Sequence, residues 1–135
     1  MVLFETNEEE KPKKKRSGAY SRNKGNAYER KIIKELTDIG YKGLKSSRSE
    51  SKNLDNAKID IAETEDKLPC YVQCKSTQNT PSVKKINEEV GYKDKPLAIF
   101  WNIQEKKEGN VNITSCGEYV IIPKEFFYQL IKQID

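Results

Sequence analysis

The sequence predicts a mixed α/β domain, because helical and strand patterns alternate along a chain of single-domain length. The chain has 135 residues, which suits one folded domain. Apolar residues recur at helical spacing from Tyr28 to Ile39, and a second amphipathic segment follows Pro123. Between them, short apolar runs such as Leu97–Trp101 have the length and composition of strands. We therefore predict a central mixed sheet flanked by helices.

The first predicted helix carries an apolar stripe along one face and ends at a glycine. Its stripe residues, three or four positions apart, are Tyr28, Ile32, Ile33, Leu36 and Ile39. Gly40 follows in the usual helix-stop position. Ser21 and Asn26 are the two candidate N-caps.

The next segment predicts a loop and then a β-hairpin. Residues 46–56 are rich in Ser, Asn and charge, which favours a loop. Over residues 57–62 the alternation places Ile59 and Ile61 on one face and Asp60 on the other. Residues 68–75 follow after a turn and form the second predicted strand.

The last third predicts a helix, strands and a closing helix. Pro81 suits the first turn of a helix that runs to about Val90. Leu97–Trp101 is a buried strand, and a polar excursion separates it from a further strand at residues 119–122. Pro123 then opens the last helix.

The composition excludes several classes of chemistry. With no histidine in the chain, there is no Ser-His-Asp triad, no imidazole base and no histidine-ligated metal. Three cysteines are an odd number without zinc-site spacing, so we expect them to be reduced and structural. No run of about 18 apolar residues exists. We therefore expect a cytoplasmic protein without a membrane partner, in the host cytoplasm if a phage encodes it.

The net charge of +4 is concentrated near the start of the chain. A run without any acid contains Lys11, Lys13, Lys14, Lys15, Arg16, Arg22 and Lys24. We predict that residues 1–23 form a flexible basic arm and that residues 24–135 form the folded domain. Contacts of this arm with DNA phosphates would add affinity that falls with salt. A solvated tail or a localisation signal is the alternative.

The residues that suggest chemistry lie on the predicted hairpin. Gln73 and Lys75 share one face of their strand, and Asp60 points away from its flanking isoleucines. Asp60, the amide oxygen of Gln73 and the backbone carbonyl of Cys74 are oxygen donors of the kind Mg²⁺ prefers. The ammonium group of Lys75 can orient an attacking water or offset the negative charge of a phosphate. An ordinary solvent-facing strand would show the same alternation, and that reading stays open.

Four motifs in order carry a family resemblance. They are Lys24-Gly25-Asn26-Ala27-Tyr28-Glu29-Arg30, the tract from Lys45 to Ser51, Ile59-Asp60-Ile61, and Val72-Gln73-Cys74-Lys75-Ser76-Thr77. This arrangement resembles the archaeal-type Holliday junction resolvases of the PD-(D/E)XK superfamily and related small phage enzymes. The resemblance covers roughly Lys24 to Trp101.

The resemblance implies a restriction-endonuclease-like core over residues 24–135, with Mg²⁺ or Mn²⁺ as cofactor. It also implies a homodimer that cuts branched double-stranded DNA at four-way junctions, because a junction needs two symmetric cuts. Glu29 matches the helical metal-site glutamate, Asp60 the central aspartate and Lys75 the lysine. Ser49 or Ser51 would match a catalytic-loop serine. Gln73 departs from the pattern, because the family usually has Glu there.

Two other functions remain open at this point. One is a related nuclease acting on duplex, nicked or flap DNA, and the other is a DNA-binding module without catalysis, which Gln73 would fit. Arg48 and Lys52 are predicted phosphate contacts. Trp101, Phe126 and Phe127 lie in apolar runs, so we expect them in the core rather than stacked on bases. The last helix or the Leu97–Trp101 strand is the predicted dimer interface.

Overall fold

A three-stranded sheet with a two-stranded ribbon beside it forms the centre of the fold. A computed structural model describes residues 18–50, 52–106 and 113–134. Its elements, in chain order, are α1 (Gly18–Ile39), β1 (Leu44–Ser46), α2 (Ser47–Glu50), α3 (Lys52–Asn56), β2 (Ile61–Glu63), β3 (Tyr71–Thr77), α4 (Val83–Glu89), β4 (Leu97–Lys106), β5 (Ile113–Ile121) and α5 (Lys124–Lys132).

The main sheet is mixed, as predicted. Its strand order is β3-β4-β5, with β4 parallel to β3 and antiparallel to β5. Because β4 lies between two partners, it has no free edge, and its residues Leu97, Ala98 and Ile99 are buried. The Leu97–Trp101 segment therefore offers no free edge for pairing with a strand of a second chain, and its role in a dimer stays a prediction.

α1 packs on one face of the sheet through the predicted stripe. Tyr28 and Ile32 are buried in one cluster with Val72 of β3. The helix begins at Gly18, so residues 18–23 of the predicted arm belong to it, and residues 1–17 lie outside the described residues. Gly25 inside this helix costs about 1 kcal/mol relative to alanine. None of the described helices is long and apolar enough to cross a membrane.

The opposite face of the sheet is covered by α4. Ile86 and Val90 pack there with Ile99 and with Ile59. Ile61 packs instead in the cluster under α1, so the prediction that both isoleucines share a face is wrong. Lys58 has a φ of 67°, and this left-handed turn delays the regular strand until Ile61.

The predicted hairpin does not form. β2 pairs antiparallel with β1, and the segment predicted as a loop between them contains the short helices α2 and α3. A single backbone hydrogen bond, Asp60 N to Val72 O at 2.9 Å, ties the ribbon to the free edge of β3. Alternation identifies a strand but not its partner, because every edge offers the same backbone groups.

The β4–β5 pair is longer than its apolar residues suggested. β4 continues past Trp101 to Lys106, and β5 begins at Ile113. The polar residues of this extension are acceptable because an antiparallel pair tolerates one solvated face. Residues 102–106 and 113–117 of the predicted polar excursion therefore belong to two paired strands.

Candidate active site

Asp60 lies where the ribbon meets the free edge of β3. Its backbone N–H donates to the carbonyl of Val72, and its Oδ2 accepts the N–H of Cys74 at 2.7 Å. The carboxylate thus occupies the place that a strand carbonyl would take in a continued ladder. This contact fixes the orientation of the side chain at the sheet edge.

Ser47 holds Asp60 from the ribbon side. Its backbone N–H donates to the Asp60 carbonyl at 2.9 Å, and its Oγ donates to the carbonyl of Ile59. Ser47 is fully buried, so these bonds are shielded from water. The sequence reading missed Ser47 and favoured Ser49 or Ser51. The side chain of Ser49 and all of Ser51 lie outside the described residues, and the only sequence signal for Ser47 is its position beside Arg48.

The pKa of Asp60 shows which charges share its surroundings. The pKa of Asp60 is raised to about 6, mainly by burial and also by the nearby carboxylate of Glu29. The Cys74 N–H and the ammonium of Lys75 act in the opposite direction. The structure therefore brings Glu29 of α1 and Lys75 of β3 within electrostatic range of Asp60, although the three residues are far apart in the chain.

Glu29 approaches the site from α1. It is only 8% exposed, because its neighbours Tyr28 and Ile32 are pressed against the sheet. Its Oε1 accepts hydrogen bonds from Arg48 Nη2 at 3.0 Å and from Ser46 Oγ at 3.4 Å. The Arg48 guanidinium therefore holds the Glu29 carboxylate in place on the side of the site that faces α1.

Gln73 is the neutral member of the group. It is 6% exposed, and its Oε1 is buried without a hydrogen bond from any described residue. A buried acceptor without a partner costs about 1–3 kcal/mol, so this oxygen suits a ligand supplied from outside the chain. An oxygen-preferring divalent cation fits this set of two carboxylates and one amide oxygen.

The neutral Gln73 explains why the site does not contain a cluster of three acids. Over the described ranges 18–50, 52–106 and 113–134, no group of three or more His, Cys, Asp or Glu side chains is placed to hold a metal ion. The third side-chain oxygen here belongs to Gln73, which is not an acid. The charge available to a cation is thus lower than three carboxylates would supply.

The cysteines near the site do not offer thiolate ligands. Burial raises the pKa of Cys74 well above its usual range and that of Cys70 to about 11, so both thiols stay protonated at neutral pH. Both pack against the cluster under α1. The backbone carbonyl of Cys74 remains the predicted contribution of this residue.

Only some of the predicted DNA contacts fall on described side chains. Arg48 is 43% exposed while it pairs with Glu29, and Lys24 is half-buried on α1. The side chains of Arg22 and Lys52 and the whole run from Lys11 to Arg16 lie outside the described residues. Their contacts with phosphates stay predictions.

Two of the three aromatic residues expected in the core are not there. Phe126 is buried as predicted. Phe127 is 50% exposed, and Trp101 is half-buried. An apolar run does not reveal which of its side chains face the interior, because that depends on what packs on each face.

A comparison with protein-family models decides the classification. The model described as archaeal Holliday junction resolvase (Hjc) matches residues 20–93. The chain belongs to this family. The match spans more than half of the chain and includes Glu29, Asp60, Gln73 and Lys75, so the resemblance seen in the motifs is confirmed. No curated protein and no solved structure matches the chain.

Membership of the resolvase family fixes the coarse function. The chain is a Holliday junction resolvase-type nuclease at family level, which places it in DNA recombination and repair. The family binds branched DNA junctions and is generally dependent on divalent metals. The mixed sheet with flanking helices agrees with the fold of this family.

Proposed function

We propose that this resolvase-family chain is a divalent-metal-dependent endonuclease that hydrolyses phosphodiesters at four-way DNA junctions. Glu29, Asp60, Gln73 and Lys75 are the proposed catalytic set. The observation that carries the proposal is the buried, unpartnered Oε1 of Gln73 in a site where Glu29 and Lys75 both act on the pKa of Asp60.

Glu29, Asp60 and Gln73 are the proposed metal ligands, with the Cys74 carbonyl beside them. A bound Mg²⁺ or Mn²⁺ supplies Lewis acidity toward the phosphate and lowers the pKa of a water molecule. The protein's own contribution is positioning. The Cys74 N–H holds one oxygen of Asp60 and leaves the other oxygen free of that bond.

Lys75 is the proposed partner of the reacting phosphate and water. It projects from the same face of β3 as Gln73, and its charge already lowers the pKa of Asp60. An ammonium there can orient the attacking water and offset the negative charge that develops at phosphorus. Ser47 acts on the same site indirectly, as a positioning residue for the Asp60 backbone.

A DNA-binding module without catalysis is the second candidate. Two observations favour it: the neutral Gln73, and the pairing of Glu29 with Arg48. In that case the protein would bind junctions with or without metal and leave every strand intact.

Metal dependence separates these candidates. We expect cutting of a four-way junction in Mg²⁺ or Mn²⁺ and none in excess EDTA, because no histidine or ionised thiol is available to activate water. The measurement compares junction, linear duplex, nicked and flap DNA of matched sequence on a denaturing gel. Cutting that persists in EDTA contradicts the proposed site. Preferential cutting of duplex or flap DNA identifies a related nuclease with another substrate.

We propose that the resolvase acts as a homodimer through the outer face of α5. An apolar groove of about 540 Å³ lies between α1, the sheet and α5. Its lining includes Ile39, Val120 and Phe127, which are 72%, 49% and 50% exposed. Exposed apolar area of this kind marks an interaction site, and a twofold dimer would present two active sites to the two strands of a junction.

Ile131→Glu tests this interface. Ile131 is 44% exposed on α5, and a buried unpaired charge there should weaken the dimer at least about tenfold. Sedimentation measures the dimer, and a supercoiled cruciform substrate distinguishes single nicks from paired cuts. Gln129→Glu puts the same charge on an exposed polar position of α5 and should change neither readout. A chain that is monomeric before mutation, or a fully dimeric Ile131→Glu protein, would exclude this face.

A further inference from the structure

A row of three side chains crosses the main sheet beside the proposed catalytic lysine. The strand register aligns Lys75 of β3 with Trp101 of β4 and Trp101 with Tyr119 of β5. Aligned residues of neighbouring strands point to the same face and lie about 5 Å apart. The aromatic pair therefore begins directly at Lys75 and extends about 10 Å from it.

The described helices leave much of this row uncovered. One step along the sheet, Ile99 and Ile121 lie in the cluster beneath α4. Trp101 and Tyr119 belong to neither of the two described core clusters, and Tyr119 is 62% exposed. α4 therefore covers the part of this sheet face that contains Ile99 and Ile121. It does not cover the part that contains Trp101 and Tyr119.

Both rings lie along the sheet instead of standing away from it. Trp101 Nε1 donates to the Thr77 carbonyl at 3.2 Å and to Thr77 Oγ1 at 3.1 Å, which draws the indole across β3. Tyr119 lies over Gly117, where an added Cβ would be only 3.2 Å from Tyr119 Cε1.

The acid next to Tyr119 in the sequence is turned away from this row. Glu118, the neighbour of Tyr119, points to the opposite face of the sheet, where it pairs with Lys31 of α1. The residue at the end of this row is Lys75, which carries a positive charge. A negatively charged polymer carrying aromatic groups matches a surface of one cation, one exposed ring and one half-buried ring.

We propose that Trp101 and Tyr119 form a stacking platform for the bases exposed at the branch point of a junction, and so select branched over linear DNA. The proposal rests on the proposed nuclease function. Inside a continuous duplex, both faces of a base pair are already stacked, and freeing one costs energy. A branch point interrupts the stack, and any base can then lie on an aromatic ring. The platform would therefore recognise structure without reading sequence, and would hold the branch beside Lys75.

Trp101 is itself the probe, because it is the only tryptophan of the chain. We expect saturating four-way junction in EDTA to quench its emission strongly, and an equal concentration of linear duplex of the same sequence to quench it much less. Equal quenching by both DNAs contradicts the platform.

Matched variants then separate stacking from general packing. Trp101→Leu and Tyr119→Leu should each lower the ratio of junction to duplex affinity by about tenfold or more, since stacking on a ring strengthens binding by roughly that factor per base. Trp101→Phe and Tyr119→Phe keep a ring and should stay close to the original ratio. Circular dichroism confirms that the variants are folded.

The outcomes distinguish this proposal from the nuclease function on which it rests. If the unmodified protein cuts junctions and the leucine variants keep their junction preference, the platform alone is wrong. If the leucine and phenylalanine variants lose junction preference to the same extent, the rings contribute to packing, and the platform proposal is again wrong. If the unmodified protein neither prefers nor cuts junctions, the proposed function fails and the platform with it.

Discussion

Asp60→Asn is expected to abolish cutting and, at the same time, to stabilise the metal-free protein. Loss of the carboxylate removes a proposed metal ligand and should lower the cleavage rate by about a thousandfold or more. The stability gain follows from the pKa of Asp60, which burial raises to about 6 from an ordinary value of about 4. Ionising this group at neutral pH therefore costs the folded state on the order of 2 kcal/mol.

The stability gain depends on pH because the pKa of Asp60 is higher in the folded protein than in the unfolded chain. Between about pH 4 and 6 the folded protein binds more protons at Asp60 than the unfolded chain does, so its stability falls as pH rises through this window. The gain from Asp60→Asn should be complete above pH 6 and should vanish near pH 4. Asparagine keeps an oxygen for the Cys74 N–H, so the backbone contact survives.

Urea unfolding in EDTA at several pH values, with cleavage assays beside it, measures both effects. Glu65→Gln is the control, because Glu65 is exposed and the substitution likewise replaces a carboxylate by an amide. This control should change neither property. Unreduced cutting by Asp60→Asn refutes the catalytic assignment, and a destabilised Asp60→Asn protein at neutral pH refutes the account of its burial.

Gln73→Glu is expected to tighten metal binding and to make folding depend on metal. The substitution puts a third carboxylate beside Glu29 and Asp60, which should lower the Mg²⁺ concentration for half-maximal cutting by about tenfold or more. Without metal, a further buried acid next to two others should destabilise the fold by about 2 kcal/mol or more. Cutting at saturating Mg²⁺ should be retained or raised.

Gln104→Glu is the control for this prediction. Gln104 is also 6% exposed but lies on β4 outside the site, so its substitution should destabilise the fold with no rescue by Mg²⁺. Thermal unfolding across a Mg²⁺ series, with cutting measured on the same samples, compares the two variants. An inactive Gln73→Glu protein at saturating Mg²⁺ would mean that the neutral amide is required and that the proposed metal site is wrong.

The sequence alone determined the class of the protein and the chemistry open to it. Four short motifs in order indicated the resolvase family, and the absence of histidine left oxygen-ligated metal chemistry as the route to hydrolysis. Periodicity also located α1 and α5, because a helix that packs by one face must repeat its apolar residues every three or four positions. These features are local, so they can be read from neighbouring residues.

Tertiary structure decided the strand partners, the surroundings of each site residue and the exposure of the aromatic side chains. β2 pairs with β1 and not with β3, so Asp60 reaches β3 through its backbone N–H and its side chain instead of through a continuous strand ladder. The buried, unpartnered oxygen of Gln73, the support from Ser47 and the open row of Trp101 and Tyr119 follow from which faces the helices cover. Pairing and burial depend on contacts between residues far apart in the chain, and local periodicity carries no information about them.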